Sequence, residues 1–459
     1  MPRTGARLVL YVAIAAIARV AALPALKRSL RPQHGALTVR GGSTKKTVTR
    51  NPRAVVVQKR TDVLGASFNL VNNVAGCGFL TLSSGMAGSG FVPSVAVLAA
   101  LGAISCFTFL ALGEECAAYG ATDLRSLWAN AVSEDTAWLV DASVGLFCGA
   151  ALVIYHGVVG DVFGPVVGRW LAGGHAKAIL AVAAGCLWPL CQLDLAALAR
   201  FSLVGCASVA ATACVILLRS VDGSYAPGGK YFGAPATRAG GWLGLAPKML
   251  VLSANLGLAY IAHYNAPPLA GSLAPGREPA EAARDFSAVT VRSFAVLVAL
   301  YAAVMVAGAA TFGDAAAPNL MVNYADADAL AQMAKLATGA SIIFGFPLVF
   351  SAFANWAYSL APAPVFATLK SSKAARLGAS GLLILLTVVA ALNASDIGLP
   401  AGLAGSLLGG FVVYVLPAAV KWQRAATTAE MAGCAGLAGL GAVLALLGAS
   451  QVLAQYGLL

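Results

Sequence analysis

From Val63 to Gly113 the chain runs for 51 residues without a charged side chain. That is room for two bilayer crossings of ~20 residues each, with a turn near Gly88–Pro93. Apolar stretches of the same kind recur to the C-terminus. The pattern predicts eleven spans, at about 63–87, 92–118, 138–162, 177–192, 196–218, 243–269, 287–310, 329–358, 375–393, 399–420 and 431–455. A polar Gly/Pro loop at 219–240 separates the first five spans from the rest, and 121–132 reads as a short amphipathic connection. The expected fold class is an all-α polytopic membrane protein.

Two spans are poor as plain helices. The first reads Ser67-Phe-Asn-Leu-Val-Asn-Asn-Val-Ala-Gly-Cys-Gly78 and carries Asn69, Asn72 and Asn73, then Gly76 and Gly78 around Cys77. Glycine frees the backbone to leave helical geometry. In hydrocarbon, an open N–H or C=O is tolerated only where protein or a polar cavity covers it. A Gly-broken span therefore points to a binding site, although small residues also serve close helix packing. The sixth span repeats the theme with Asn255, Gly257, Tyr260, His263, Asn265, Pro267 and Pro268. Two interrupted spans, each opening a set of five, predict an inverted repeat, without clear residue identity between the halves.

Composition agrees. Of the 459 residues 59% are hydrophobic and 10% charged, and the mean hydropathy is +0.81, where soluble domains run near a quarter charged. The net charge of +12 is local. Residues 1–61 hold 13 Lys/Arg and no acid, and the remainder holds 17 Lys/Arg against 18 Asp/Glu. The body, residues 62–459, has no nucleic-acid footprint. The tail, residues 1–61, suits anionic lipid or an address. Its apolar run Leu8–Ala18 behind Arg3 and Arg7 has the shape of a signal peptide, and Pro24–Arg60 that of a transit peptide. A disordered cytoplasmic tail is the alternative. All nine cysteines lie in or beside apolar segments without zinc spacing. Asn393-Ala-Ser395, a sequon tight between two spans, is discounted.

Lys/Arg placement favours an N-terminus inside: Lys370, Lys373, Arg376, Lys421 and Arg424 then join the tail, and the loop with Asp314, Asp326 and Asp328 falls outside. Arg169, Lys177, Lys230 and Arg238 argue the other way. The expected residence is the plasma membrane or a vacuolar or other endomembrane, with a plastid envelope if the tail is a leader.

The segment Phe68-Asn69-Leu70-x-Asn72-x-Val74-x-Gly76-x-Gly78-x-Leu80-x-Leu82-Ser83-x-x-Met86-Ala87 resembles, over twenty positions without a gap, the first span of the amino acid/auxin permease family, most closely its sodium-coupled neutral amino acid transporter branch. The resemblance extends over about 62–425. Tyr155 with Gly160-Asp161, Tyr260-x-x-His263-x-Asn265-x-Pro267, Gly308-Ala-Ala-Thr311-Phe312-Gly313 with Asn319-Leu320 and Asn323-Tyr324, and Leu416-Pro417-Ala418 are similar to family motifs in the family's order. The resemblance implies a LeuT-type five-plus-five repeat with helices 1 and 6 broken. It also implies a symporter of neutral amino acids working by alternating access on a proton or sodium gradient. Two departures stand out. Ile343 and Gly345 lie where relatives often carry threonine before the span 8 proline, leaving Ser341 as the nearest hydroxyl and weakening a sodium site between spans 1 and 8. Ala309 replaces an aromatic.

An amino acid brings a carboxylate and an ammonium, and a broken helix offers N–H groups to one and carbonyls to the other. The expected substrate-binding set is the backbone of Ala75, Gly76, Cys77 and Gly78 for the carboxylate, and carbonyls at Ala259, Tyr260 and Ala262 for the ammonium, with Asn72 and His263 beside them. The candidate ion-coupling residues are Asn72, Ser341, His263 and Asp161. Asn72 either coordinates or bonds between helices. His263 is either a proton carrier or a neutral brace. Asp161 and Asp141 are intramembrane acids, Asp161 reading better as a solvated helix end. No cofactor beyond the coupling ion is expected, nor any enzymatic activity, since nucleophile–base, nucleotide-loop and metal motifs are lacking. A sensor that binds an amino acid without net flux, or a carrier of another small zwitterion, is the alternative. Substrate side chain and oligomeric state are not encoded legibly.

Overall fold

The structure, a computed structural model, describes residues 63–86, 89–168, 172–193, 202–233, 243, 249–274, 277–394 and 396–459. The basic tail, the beginnings of spans five and six and the serine of the sequon lie outside the described residues.

The predicted first span is two helices. α1, Val63–Val74, is followed by a 3-10 turn, Cys77–Thr81, and the short α2, Leu82–Gly85. The axis bends by 47° across the break. α3, Phe91–Tyr119, is the second span and ends where Gly120 adopts φ 62°, a left-handed cap that glycine takes without strain. α4, Leu124–Ala131, is the amphipathic connection, opened by an Asp123/Ser126 capping box. The next three helices are α5, Trp138–Gly168, α6, Gly174–Leu190, and α7, Ser202–Val221.

The sixth span is again interrupted. α8, Met249–Ala259, stops at Tyr260–Ala262; a 3-10 turn, His263–Asn265, leads into α9, Ala266–Leu273, which carries Pro267 and Pro268 in its first turn. Proline lacks an N–H and suits a helix start, so Pro267 and Pro268 fit where the helix resumes. α10, Pro279–Phe312, α11, Ala329–Ser359, α12, Ala363–Ser371, and α13, Lys373–Asn393, follow. α14, Gly398–Trp422, contains a π-helical stretch over Ala404–Val415, and α15, Thr428–Gln455, is the last.

Among the described residues, eight helices are long and apolar enough to cross a membrane, nine if the bent first pair counts as one span. Of the eleven predicted, the fourth is the shorter α6, and the sixth is divided into pieces each too short to cross. Exposed Leu203, Val221, Met333, Leu382, Leu386 and Val443 face outward from the bundle, as a lipid-facing surface requires. α8 lies in the interior, against α14 and α15. A Cβ at Gly405 would collide with the Ala254 carbonyl and one at Gly257 with the Gly405 carbonyl, so these glycines allow α8 and α14 to touch backbone to backbone.

Candidate functional site

The two breaks face each other. A Cβ on Gly78 would stand 3.0 Å from the Ala259 Cα, which places the turn after α1 against the end of α8. Asn255 of α8 donates from Nδ2 to the Thr81 carbonyl at 3.0 Å. On the other side, Asn73 Oδ1 accepts from Tyr264 Oη at 3.2 Å and from Asn265 Nδ2 at 3.1 Å. A third element joins them: Tyr301 of α10, fully buried, has its hydroxyl 2.9 Å from both the Val74 and the Ala259 carbonyls.

Each break frees main-chain groups. Had α1 continued, Val74 O would accept from residue 78; here it accepts from Gly76 N at 2.8 Å. Ala75 N still donates to Val71 O at 2.7 Å. Of the four residues expected to hold a carboxylate, Ala75 and Gly76 thus engage their N–H groups within the segment in this conformation. Cys77 and Gly78 begin the 3-10 turn, where an anion suits the helix start. In the second break Ala262 O accepts from Asn265 N at 2.7 Å and Ala259 O meets Tyr301, while Tyr260 N keeps its helical bond to Leu256 O at 2.9 Å. The ring of Tyr260 lies 5.2 Å from that of Tyr301, and its hydroxyl reaches the Leu98 carbonyl at 3.3 Å.

The remaining expected residues divide. Ser341 of α11 comes to the first break: it lines a cavity of about 10 Å³ with Gly76, Phe79, Val209, Thr212, Thr338 and Ile342. Tyr155 of α5 closes the adjoining side, its hydroxyl 3.0 Å from the place a Gly76 Cβ would take. His263 is fully buried with Nε2 2.8 Å from Thr108 Oγ1. That hydroxyl is also 3.0 Å from Ile104 O and 3.2 Å from Ser105 O. The His263–Thr108 contact braces α3 against the second break.

Asn72 and Asp161 are elsewhere. Asn72 leans on α7, where a Cβ at Gly205 would strike its Oδ1. Asp161 is six residues beyond Tyr155 on α5, about 9 Å along the axis. It accepts from Asn319 Nδ2 at 2.8 Å, faces His175 Nδ1 at 3.6 Å and lines a separate cavity of about 150 Å³ with Asn319, Asp396 and His175. Asp141 is paired with Arg125 of α4 at the start of α5. Two residues at the junction were not singled out by sequence. Asn73 is one of three similar asparagines, and only the docking of the His263–Asn265 turn selects it. Tyr301 is a lone tyrosine in an apolar run and carries no sequence signal.

No curated protein sequence matches the chain. Among solved structures, the substrate-bound, outward-open state of a Na+-coupled sialic acid symporter is similar with a TM-score of 0.50 and 11% identity, covering 97% of each chain. The inward-facing conformation of Mhp1 is similar at a TM-score of 0.50 and 9% identity, over 88% of this chain and 94% of that one. At such identities the likeness concerns fold, and it agrees with the LeuT-type arrangement of helices interrupted at the first and sixth spans. A family model described as transmembrane amino acid transporter protein matches residues 59–432. With that match spanning both broken helices and the bundle around them, the chain belongs to the transmembrane amino acid transporter family.

Proposed function

We propose that the protein is a secondary active symporter of neutral amino acids, working by alternating access around the paired breaks. The observation that carries this reading is the meeting of two half-helix ends, Val74 and Ala259, on one hydroxyl inside an apolar bundle. Main-chain carbonyls and N–H groups gathered there can take a zwitterion without a formal protein charge. A neutral substrate fits because the junction, among the described residues, brings together asparagine and tyrosine and no carboxylate or guanidinium. A proton or sodium gradient drives the cycle; the replacement of the span 8 hydroxyls by Ile343 and Gly345 inclines the reading toward protons. Residues 76–78 are assigned to the carboxylate, and the Tyr260 and Ala262 carbonyls of the second break to the ammonium.

The test is uptake of radiolabelled neutral amino acids into proteoliposomes under imposed proton or sodium gradients. Accumulation driven by one gradient is expected. Saturable binding without gradient-driven accumulation would replace this reading by a sensor or facilitator.

A further inference from the structure

The hydroxyl of Tyr301 has one proton and two acceptors at equal distance. Val74 O and Ala259 O each lie 2.9 Å from it. They come from the C-terminal ends of α1 and α8, where each helix carries its partial negative charge. Two such ends pointing at one spot in a bundle interior repel unless something positive sits between them. A metal cation is the usual answer, held by carbonyl oxygens. Here a phenolic O–H stands at that spot.

The position is built. Tyr301 has no solvent exposure and projects from the middle of the 34-residue α10. Its ring packs 5.2 Å from that of Tyr260, which lies in turn 6.3 Å from Phe294. Gly78 permits the close approach of the two breaks, since a Cβ there would be 3.0 Å from Ala259 Cα. The carbonyls are thus fixed from both sides, and the tyrosine cannot turn away without giving up its ring contact with Tyr260. Val74 O also receives Gly76 N–H at 2.8 Å, so both carbonyls are supplied with protons from within the chain.

We propose that Tyr301 is an ion-specificity residue: its hydroxyl takes the place of a metal cation between Val74 O and Ala259 O and closes that carbonyl pair to sodium. Removing the oxygen while keeping the ring leaves two buried carbonyls converging on a small gap, a place a sodium ion would then stabilise. This concerns the ion rather than the substrate, and its test uses no amino acid, so failure of the transport reading and failure of this one are separate results.

The experiment compares thermal unfolding of the purified full-length protein in sodium chloride and in choline chloride. Tyr301→Phe should gain a sodium-specific rise in Tm exceeding that of wild type by about 2 °C or more. Tyr301→His restores a ring N–H donor and should return the response to that of wild type. A sodium shift in Tyr301→Phe equal to or smaller than that of wild type overturns the proposal; a smaller one would make Tyr301 a ligand of the ion. A second measurement needs no variant. In wild type, exchanging choline for sodium should leave amide hydrogen exchange over residues 74–78 and 259–263 unchanged, and protection gained there overturns the assignment.

Discussion

Asn73 on the first broken helix accepts a hydrogen bond from Asn265 on the second at 3.1 Å, and the same oxygen accepts from Tyr264 at 3.2 Å. The two interrupted spans are therefore tied on one side by a side-chain amide and on the other by Tyr301. A buried hydrogen bond left with one partner costs about 1–3 kcal/mol. Asn73→Ala should lower uptake by about 10-fold while the protein still reaches the membrane. Asn72→Ala, which touches α7 instead, should cost less; equal losses would remove the distinction.

The approach of the breaks depends on glycine. Gly76→Val would push a branched side chain onto Tyr155 Oη, 3.0 Å from the first added carbon, and Gly78→Val would do the same to the α8 backbone at Ala259. Both should abolish uptake with surface or membrane abundance retained. Normal uptake by Gly76→Val would end the assignment of the site to this turn.

His263 meets the Thr108 hydroxyl through Nε2 at 2.8 Å. Glutamine can offer an N–H donor in its place. His263→Gln is expected to retain most of the uptake rate and to leave its dependence on external pH unchanged. A flattened pH profile in that variant would return His263 to the coupling path.

Asp161 bonds Asn319 in the larger cavity, apart from the breaks. Asp161→Asn keeps an acceptor oxygen for that amide. Gradient-driven accumulation should persist, with at most a few-fold change in rate, as the loss of an exposed or half-buried pair costs on the order of 1 kcal/mol. Loss of accumulation with binding intact would make Asp161 a coupling group.

At one end of the bundle Arg219 of α7 reaches Asp328, the N-cap of α11, at 2.6 Å and Asp222 at 2.5 Å. Burial pushes both carboxyls up, yet both titrate below the usual range. The Arg219 guanidinium, with Ala331 N–H and Tyr225, holds Asp328 down, and Ser224 together with Arg219 holds Asp222 down. A carboxylate with a lowered folded pKa stabilises the fold above its unfolded pKa, and that contribution is lost as pH falls through the folded value. The clamp should therefore be fully present at neutral pH and weaken below about pH 4. Asp328 has no exposure, so Asp328→Asn leaves Arg219 without its best partner and should cost roughly 3 kcal/mol, seen as a lower Tm at pH 7 and a smaller difference from wild type at pH 3.5.

What sequence by itself determined was the class of the molecule and the location of its irregularities. Fifty-one uncharged residues can only be accommodated in lipid or a very large core, and glycine pairs inside such runs mark where the backbone can leave the helix provided protein covers its open groups. Hence both breaks, at Gly76–Gly78 and Tyr260–His263, were legible, as were α4 and the π-distorted, Gly-rich α14 as elements. Tertiary structure alone decided which side chains meet. Asn72 and Asn73 are chemically identical and adjacent, so one helical step of about 100° sends one toward α7 and the other toward the His263–Asn265 turn. Asp161 and His263 are both ionisable groups in apolar runs, and only the packing of α3 and the 313–328 segment gives one a hydroxyl brace and the other a cavity. Tyr301 is the clearest case: it sits in an unremarkable apolar helix, far in sequence from Val74 and Ala259, and its role exists only because three separate spans converge on one oxygen.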